Sequence, residues 1–300
     1  LALPVNEAGT GSFTVALATP PLATVVVSVG SLNPAVAAVS PAALTFTPAN
    51  YNAPQTVTVS GTPDPGVAND ATSVVLTAAG AASRTVGVTV LDDDVQAILT
   101  NLGSVDTSEG GNTTFTVTLA FQPAASVTVT VSSSDPDAAT PTPSTLTFTP
   151  ADYATPQTVT AWGVQDADVL DESLSFSLSS PGVATTMVGV KVTDDDTQYI
   201  LSSVVSVFVS EDGTATFSVQ LAQDPSGTLA VSVASSNTTA ATVSPGTLTF
   251  NSGNYLVAQT VTVTGVHDAN LIGETLTVTL SSPGVANPRI LTVILLDTGP

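Results

Sequence analysis

The 300-residue sequence contains no cysteine, one histidine and only three basic side chains, Arg84, Lys191 and Arg289. The absence of cysteine excludes disulfide bonds and thiolate metal sites. The 24 acidic residues give a formal charge of −21, which disfavours binding to nucleic acid or to an anionic membrane surface. Because basic side chains are so few, the counter-charge for clustered carboxylates must come from solution or from a partner, and metal cations are the simplest source.

Long apolar runs and a leader pattern are also missing. No stretch approaches the roughly 20 apolar residues that cross a bilayer, and the sequence does not open with the basic-then-apolar pattern of a secretory signal. We therefore expect no membrane insertion. Hydrophobic residues make up 43% of the chain and are mostly Val, Ala and Leu, accompanied by many Thr and Ser. This composition favours strands over helices and predicts an all-β protein.

One unit occurs three times. Glu7, Glu109 and Glu211 are spaced by 102 residues, and a Leu-Thr-Phe motif at 44–46 recurs at 146–148 and 248–250 with the same spacing. A fixed period of this length indicates tandem domains. We divide the chain into copy 1 (1–94), copy 2 (95–196) and copy 3 (197–300).

Copy 2 shows seven short alternating segments separated by turn residues. We name these predicted strands A to G, and they cover 97–106, 113–120, 126–133, 145–149, 157–163, 173–179 and 187–193. Seven such strands in about 100 residues are typical of an immunoglobulin-like β-sandwich. The fold prediction is three tandem seven-stranded sandwiches arranged end to end, because strand A enters at one pole and strand G leaves at the other.

The outer copies depart from this pattern at their ends. Leu1 corresponds to Gly103, so copy 1 lacks the start of strand A and should leave an exposed sheet edge. In copy 3 the apolar row Leu291, Val293 and Leu295 continues strand G with a one-residue slip. Only Asp297 then remains of the Asp-Asp-Asp triplet that follows strand G in the other copies.

The acidic residues collect at one pole if the strands alternate in direction. That pole holds the A–B, C–D and E–F connections and the exit of strand G. In copy 2 these segments carry ten carboxylates: Glu109, Asp135, Asp137, Asp166, Asp168, Asp171, Glu172, Asp194, Asp195 and Asp196. Ca²⁺ takes six to eight oxygen ligands, whereas Zn²⁺ prefers His or Cys. The pattern predicts calcium binding, and the alternative is a merely solvated acidic rim.

Copies 1 and 3 should bind fewer or weaker ions. The candidate ligands of copy 1 are Glu7, Asp64, Asp70, Asp92, Asp93 and Asp94. Those of copy 3 are Glu211, Asp268, Glu274 and Asp297. Asn33 and Asn237 stand where copy 2 has Asp135, and copy 3 should be the poorest site.

Three motifs together resemble Calx-β repeats: Ser108-Glu109-Gly110-Gly111 before a strand, the acidic loop 166–172, and a strand ending in Val-Thr-Asp-Asp-Asp at 192–196. The stretch 146–160, LTFTPADYATPQTVT, is similar to the variant found in large bacterial surface proteins and adhesins. The resemblance implies a calcium-binding, immunoglobulin-like extracellular module. It implies that calcium is held by Glu109, Asp166, Asp171 or Glu172, and 194–196.

Catalysis is not expected, because the single His267 has no positioned nucleophile and is absent from the other two copies. His267 is interpreted as a surface loop residue. Trp162 alternates with inward residues of strand E and should face outward, as a contact residue or a sugar platform.

The leading hypothesis is a non-catalytic, calcium-stiffened stalk or filament-forming component at a bacterial cell surface. The alternative is a module that recognises glycan or protein through the acid-poor B–C, D–E and F–G loops. A third possibility is self-assembly, either by strand addition at the raw edge of copy 1 or by head-to-tail contacts between copies.

Overall fold

The computed structural model describes residues 2–269 and 271–298, and all regular structure in these ranges is β. The strands of copy 1 are β1 (Ala2–Asn6), β2 (Thr10–Val15), β3 (Val25–Ser31), β4 (Ala37–Ser40), β5 (Ala43–Phe46), β6 (Gln55–Gly61), β7 (Asp70–Thr77) and β8 (Arg84–Leu91). Those of copy 2 are β9 (Ile98–Thr100), β10 (Ser104–Ser108), β11 (Asn112–Leu119), β12 (Val127–Ser133), β13 (Ala139–Thr142), β14 (Thr145–Phe148), β15 (Gln157–Gly163), β16 (Glu172–Ser180) and β17 (Val183–Thr193). Those of copy 3 are β18 (Ile200–Ser202), β19 (Ser206–Ser210), β20 (Thr214–Leu221), β21 (Leu229–Ser235), β22 (Ala241–Ser244), β23 (Thr247–Phe250), β24 (Gln259–Gly265), β25 (Thr275–Ser281) and β26 (Arg289–Leu296).

Each copy is a sandwich of two sheets, which confirms the predicted fold class. In copy 2 the larger sheet has the order β10-β17-β16-β12-β14 and the smaller sheet the order β13-β15-β11-β9. Copies 1 and 3 repeat this arrangement, except that the smaller sheet of copy 1 consists of β2-β6-β4. The domain boundaries at 94 and 196 stay predictions; they fall between the last strand of one copy and the first strand of the next.

One of the seven predicted strands is divided between the sheets, and another is preceded by a strand that was not predicted. Predicted strand A becomes β9, antiparallel to β11 in the smaller sheet, and β10, parallel to β17 in the larger one. Predicted strand D becomes β14, preceded by an unpredicted strand β13 that pairs with β15. A cis Thr142–Pro143 peptide bond follows β13, and copies 1 and 3 have cis bonds at the equivalent positions. The seven predicted strands of copy 2 are therefore nine segments, whose directions still alternate from A to G.

The core of each sandwich follows from the period-2 alternation of its strands. In β11, Phe115, Val117 and Leu119 are buried while the threonines between them are more exposed. Each copy has its own cluster of buried side chains. Because the three cores are separate, each copy can keep its fold while its poles vary in sequence.

Candidate metal centres at the acidic poles

The acidic pole of copy 2 is assembled by backbone hydrogen bonds between its connections. The Glu109 amide donates to the Thr193 carbonyl at 3.1 Å, which joins the A–B turn to the exit of strand G. Gly163 N donates to Gly111 O at 3.0 Å, which joins the same turn to the end of strand E. These bonds confirm that the A–B turn, the start of the E–F loop and the exit of strand G share one pole.

Glu109 lies under this A–B turn and is only 4% exposed. The residue that follows, Gly110, has φ of +62°, a conformation that suits glycine and reverses the chain tightly. Gly163 passes directly beneath the turn, where a Cβ would collide with the Ser108 carbonyl. The two glycines therefore let the turn settle on the end of strand E, which holds the Glu109 carboxylate inside the pole.

Three carboxylates of copy 2 converge on one point. Glu109, Asp166 and Glu172 each offer a ligand oxygen, and these atoms lie within 4.8 Å of one another. Burial, reinforced by the charges of Asp166, Asp194 and Glu172, raises the pKa of Glu109 to about 7. Burial and the neighbouring acids also raise the pKa of Glu172 and of Asp194. The pole therefore holds more negative charge than its own donors can neutralise.

Several carboxylate oxygens at this pole are buried without a hydrogen-bond donor. They are Glu109 Oε1, Glu172 Oε2 and Asp194 Oδ2. A buried acceptor that has no donor loses the hydration of the unfolded state and gains nothing in return. Bare oxygens on three chain segments are what a coordinated cation would satisfy, so this cluster can hold a metal ion.

The aspartate triplet alternates between two directions. Asp194 and Asp196 are partly buried, and the charge of Asp194 is among those that act on Glu109. Asp195 is exposed, and its Oδ1 accepts a hydrogen bond of 3.1 Å from Gln165 Nε2. The alternation continues that of β17, in which Val188, Val190 and Val192 are buried. The first and third aspartates are therefore the more buried ones, while Asp195 lies at the rim and shares the Gln165 amide with Glu109.

Three other predicted ligands lie at this pole but make different contacts. Asp135 and Asp137 are exposed, and Asp135 Oδ1 accepts the Asp137 amide in a local turn. Asp171 Oδ2 is paired with Lys191 Nζ at 2.7 Å, and its Oδ1 accepts the Asp194 amide. The contact with Lys191 is the main reason why the pKa of Asp171 lies below its ordinary value. These three carboxylates thus face solvent, accept backbone hydrogen bonds or pair with Lys191.

Asp168 holds an intermediate position. Its Oδ1 accepts the Leu170 amide at 2.7 Å, while its charge acts on both Glu172 and Asp194. The inward set of copy 2 is thus Glu109, Asp166, Asp168, Glu172, Asp194 and Asp196.

Copy 1 builds a smaller version of the cluster. Glu7, Asp92 and Asp94 bring ligand oxygens within 4.8 Å of one another, and Glu7 is 7% exposed. Burial, followed by the charge of Asp64, raises the pKa of Glu7. The pKa of Asp70 is raised by burial and by contact with Asp64. Asp93, the middle residue of this triplet, is exposed like its counterpart Asp195.

Copy 3 brings together Glu211, Asp268 and Glu274, again within 4.8 Å. The predicted slip of strand G is confirmed, because Ser210 pairs with Leu296 where Ser108 pairs with Thr193. Asp297 therefore takes the place of Asp194. His267 is an exposed loop residue, as predicted, and it also contacts the cluster: its Nδ1 lies 3.1 Å from Glu211 Oε2. The signal available in the sequence was its place directly before the first E–F aspartate.

The junctions between copies use the same loops as the clusters. Gln122 N, in the B–C loop of copy 2, donates to the Pro65 carbonyl in the E–F loop of copy 1 at 2.7 Å. One period later, Asp224 N donates to the Ala167 carbonyl at 2.8 Å. A groove of about 420 Å³ lies at the first junction, between Asp64–Asp70 of copy 1 and Gln122–Ala124 with Pro150 of copy 2. The acidic pole of one copy thus abuts the acid-poor pole of the next.

Within the described ranges, no helix is long and apolar enough to span a bilayer. No protein-family model matches the sequence, and no curated protein matches it either. The Calx-β assignment therefore stays a prediction.

Solved structures with similarity to this chain are distant. Domains 1–6 of the surface layer protein SbsC match with a TM-score of 0.33 and 17% identity, over 91% of this chain and 35% of that one. The Escherichia coli adhesin FdeC matches with a TM-score of 0.28 and 13% identity, over 95% of this chain and 96% of that one. An endo-fucoidan hydrolase of glycoside hydrolase family 107 matches with a TM-score of 0.26 and 12% identity, over 100% and 43% of the two chains. Likenesses this weak add nothing about ligand or activity.

Proposed function

We propose that the acidic poles bind Ca²⁺ and that the bound ions stiffen the junctions of a rod-like, non-catalytic protein. In copy 2 the inward donor set consists of carboxylate oxygens from three chain segments, the donor chemistry that Ca²⁺ prefers. Glu109 Oε1 is buried without a donor, which a cation would correct. Glu109, Asp166, Glu172 and Asp194 are the residues that would hold the ion, and its chemistry is to neutralise their mutual repulsion.

The observation that carries this proposal is the double use of the E–F loop. In copy 2, Asp166 faces the cluster while the next residue, Ala167, accepts the hydrogen bond from copy 3. In copy 1, the charge of Asp64 acts on the buried Glu7, while the carbonyl of the next residue, Pro65, accepts the hydrogen bond from copy 2. An ion that fixes the aspartate therefore also fixes the carbonyl on which the following copy is seated.

The proposed setting is outside a bacterial cell, as part of a surface stalk or an adhesive array. Modules of this kind bind calcium with dissociation constants of roughly 10⁻⁴ to 10⁻³ M, so they are filled only where calcium is abundant. Strands of seven to nine residues at about 3.4 Å per residue, plus loops, give a sandwich of roughly 35–45 Å. Three stacked copies would form a rod of roughly 110–130 Å.

Small-angle scattering tests the proposal. The expected result is a longer, less variable particle in millimolar calcium than in EGTA. Asp166→Asn should remove part of the calcium effect at the second junction. Asp135→Asn is the matched control, because it makes the same charge change at the same pole, and Asn33 and Asn237 already support the equivalent turns. Identical profiles with and without calcium, or equal effects of the two variants, would overturn the proposal.

Recognition of a glycan or protein through the acid-poor pole is the second candidate function. The B–C loops of copies 2 and 3 are engaged by the preceding copy through Gln122 and Asp224. In copy 1 the B–C loop instead carries the fully exposed Leu22, beside a groove lined by Leu17, Pro21 and Val25. Glycan-array or pull-down binding that is abolished by Leu22→Ser would favour recognition over a spacer role.

Self-association remains a third proposal. Each following copy seats its B–C loop on the E–F loop of the copy before it, through the hydrogen bonds from Gln122 N to Pro65 O and from Asp224 N to Ala167 O. The same head-to-tail contact could form between two molecules. Sedimentation at rising protein concentration would detect it, and a monomer throughout would exclude it.

A further inference from the structure

The residue directly before the first E–F aspartate differs in each copy, and in two of them it touches the buried glutamate. In copy 2, Gln165 Nε2 donates a hydrogen bond of 2.6 Å to Glu109 Oε2. In copy 3 the same position holds His267, whose Nδ1 lies 3.1 Å from Glu211 Oε2. Copy 1 has Pro63 at this position. Copy 3 therefore places an imidazole nitrogen where copy 2 places an amide.

The glutamate that His267 touches is itself incompletely satisfied. The Glu211 side chain is 1% exposed, and its Oε1 is buried without a hydrogen-bond partner. Ligand oxygens of Asp268 and Glu274 lie within 4.8 Å of the Glu211 carboxylate. A cation bound beside these acids would satisfy the buried carboxylate oxygen of Glu211.

We propose that the pole of copy 3 is a mixed nitrogen and oxygen site for a divalent transition-metal ion of the Zn²⁺ class. This deepens the proposed function, since it rests on the acidic poles being cation sites. The ligands would be His267, Glu211, Asp268 and Glu274. One imidazole and three carboxylates supply the four donors that Zn²⁺ takes, while Ca²⁺ requires six to eight oxygens.

The geometry of His267 is compatible with direct coordination. Zinc binds imidazole nitrogen at roughly 2.0–2.1 Å and carboxylate oxygen at roughly 2.0–2.2 Å, so two ligands of a tetrahedral site are roughly 3.4 Å apart. His267 Nδ1 and Glu211 Oε2 are now in hydrogen-bond contact at 3.1 Å and would have to separate only slightly to bind one ion. Both atoms could bind one ion with little rearrangement.

Copy 3 also has fewer oxygens than copy 2 to offer a calcium ion. After strand G it retains Asp297, in the place of Asp194, and the following residue is Thr298 rather than an acid. Gly273 occupies the position of Asp171, one residue before Glu274. Copy 3 therefore offers fewer oxygen ligands than copy 2 and adds one nitrogen ligand. Both differences favour a smaller ion that prefers nitrogen over calcium.

The sequence offers a direct spectroscopic test, because His267 is its only histidine. The full chain, purified without a histidine tag, is titrated with Zn²⁺ while the ¹⁵N resonances of the single imidazole are recorded. We expect a saturable shift of one ring nitrogen at one equivalent. His267→Gln, which installs the copy 2 residue, should weaken Zn²⁺ binding at least tenfold in calorimetry. Gln165→His should create a second zinc site in copy 2.

The outcomes separate this inference from the proposed function. If calcium binds but Zn²⁺ leaves the imidazole resonances unchanged, or binds His267→Gln as tightly as wild type, the inference is wrong while the calcium proposal stands. If neither ion binds, the proposed function itself fails. Circular dichroism melting of His267→Gln in EGTA shows whether the variant keeps its fold; Gln165 on the same scaffold leads us to expect that it does.

Discussion

The poles of copies 2 and 3 have the same backbone and different chemistry. Both bury a glutamate of the A–B turn, Glu109 or Glu211, and in both the residue after the glutamate has a positive φ. Around it copy 2 gathers five further inward carboxylates with Gln165, and copy 3 gathers fewer carboxylates with His267. The repeat period places equivalent side chains at the pole of each copy, and under our proposals single substitutions at those positions would set which cation is preferred.

The largest expected effect is on the free energy of unfolding, and it tests whether copies 2 and 3 unfold independently of each other. Phe148 and Phe250 are equivalent and completely buried. Truncation of either to alanine should destabilise its own copy by about 3–5 kcal/mol. Trp162 is the only tryptophan and lies on β15, so its fluorescence reports unfolding of copy 2. Phe148→Ala should shift the denaturant midpoint of this signal, and Phe250→Ala should leave it in place. A shift in both variants would mean that the copies unfold as one unit.

The second prediction concerns pH in the absence of metal. The pKa of Glu109 is raised to about 7 in the folded state, from an ordinary value of 4.5. Between these values folded Glu109 keeps a proton that the unfolded chain has released, so the contribution of Glu109 to stability is greatest below pH 4.5 and falls as the pH rises to 7. The loss attributable to Glu109 is at most roughly 3 kcal/mol, at about 1.36 kcal/mol per unit of pKa.

Denaturant titration of Trp162 fluorescence in EGTA at several pH values measures this slope. Glu109→Gln should flatten it, because the amide does not titrate. The inward acids Glu172 and Asp194 also have raised pKa values and contribute in the same direction. A Glu109→Gln variant with the full wild-type slope would show that the buried glutamate is not its main source.

The third prediction sharpens the contrast in calcium binding. An ion that binds only the folded state at ten times its dissociation constant adds about 1.4 kcal/mol of stability. We expect this gain in the Trp162 signal of wild type and of Glu211→Gln, but not of Glu109→Gln. If Glu211→Gln abolishes the gain as well, the two poles are coupled or the calcium site lies elsewhere.

The sequence was sufficient to predict the period, the all-β sandwiches and the pole that carries the acids. Strand E of copy 2, predicted as 157–163, is β15. The division of strand A and the extra strand β13 before strand D were not predictable from periodicity, because the sheet that a short segment joins depends on which neighbour it finds. Pro143 also suggests a loop rather than a strand end. His267 was correctly placed in a surface loop, but its contact with Glu211 was not predicted, because the two residues are 56 positions apart.

The direction of each carboxylate was only partly readable. The buried positions of β17 have even numbers from Val188 to Val192, and extending that parity would have selected Asp194 and Asp196 over Asp195. The same parity separates Glu172 from Asp171, because Leu174, Phe176 and Leu178 are the inward residues of β16 and Glu172 continues that row at its first position. Their roles are decided by Lys191, which attracts Asp171 from the neighbouring strand.

The smallest expected effect concerns Asp171, which was predicted as a ligand. Its Oδ1 accepts the Asp194 amide, and in copy 1 Asn69 Oδ1 accepts the Asp92 amide in the same way. An Asn side chain can therefore accept the backbone hydrogen bond at this position. The other oxygen binds Lys191 in an ion pair whose side chains are 48% and 44% exposed, and such pairs contribute about 0–1 kcal/mol.

Asp171→Asn should therefore change stability by less than about 1 kcal/mol and leave calcium affinity nearly unchanged in calorimetry. Glu172→Gln, one residue away on the inward side, should weaken calcium binding strongly. A comparable loss of affinity in both variants would restore Asp171 to the ligand set, and would mean that the ion draws this carboxylate away from Lys191.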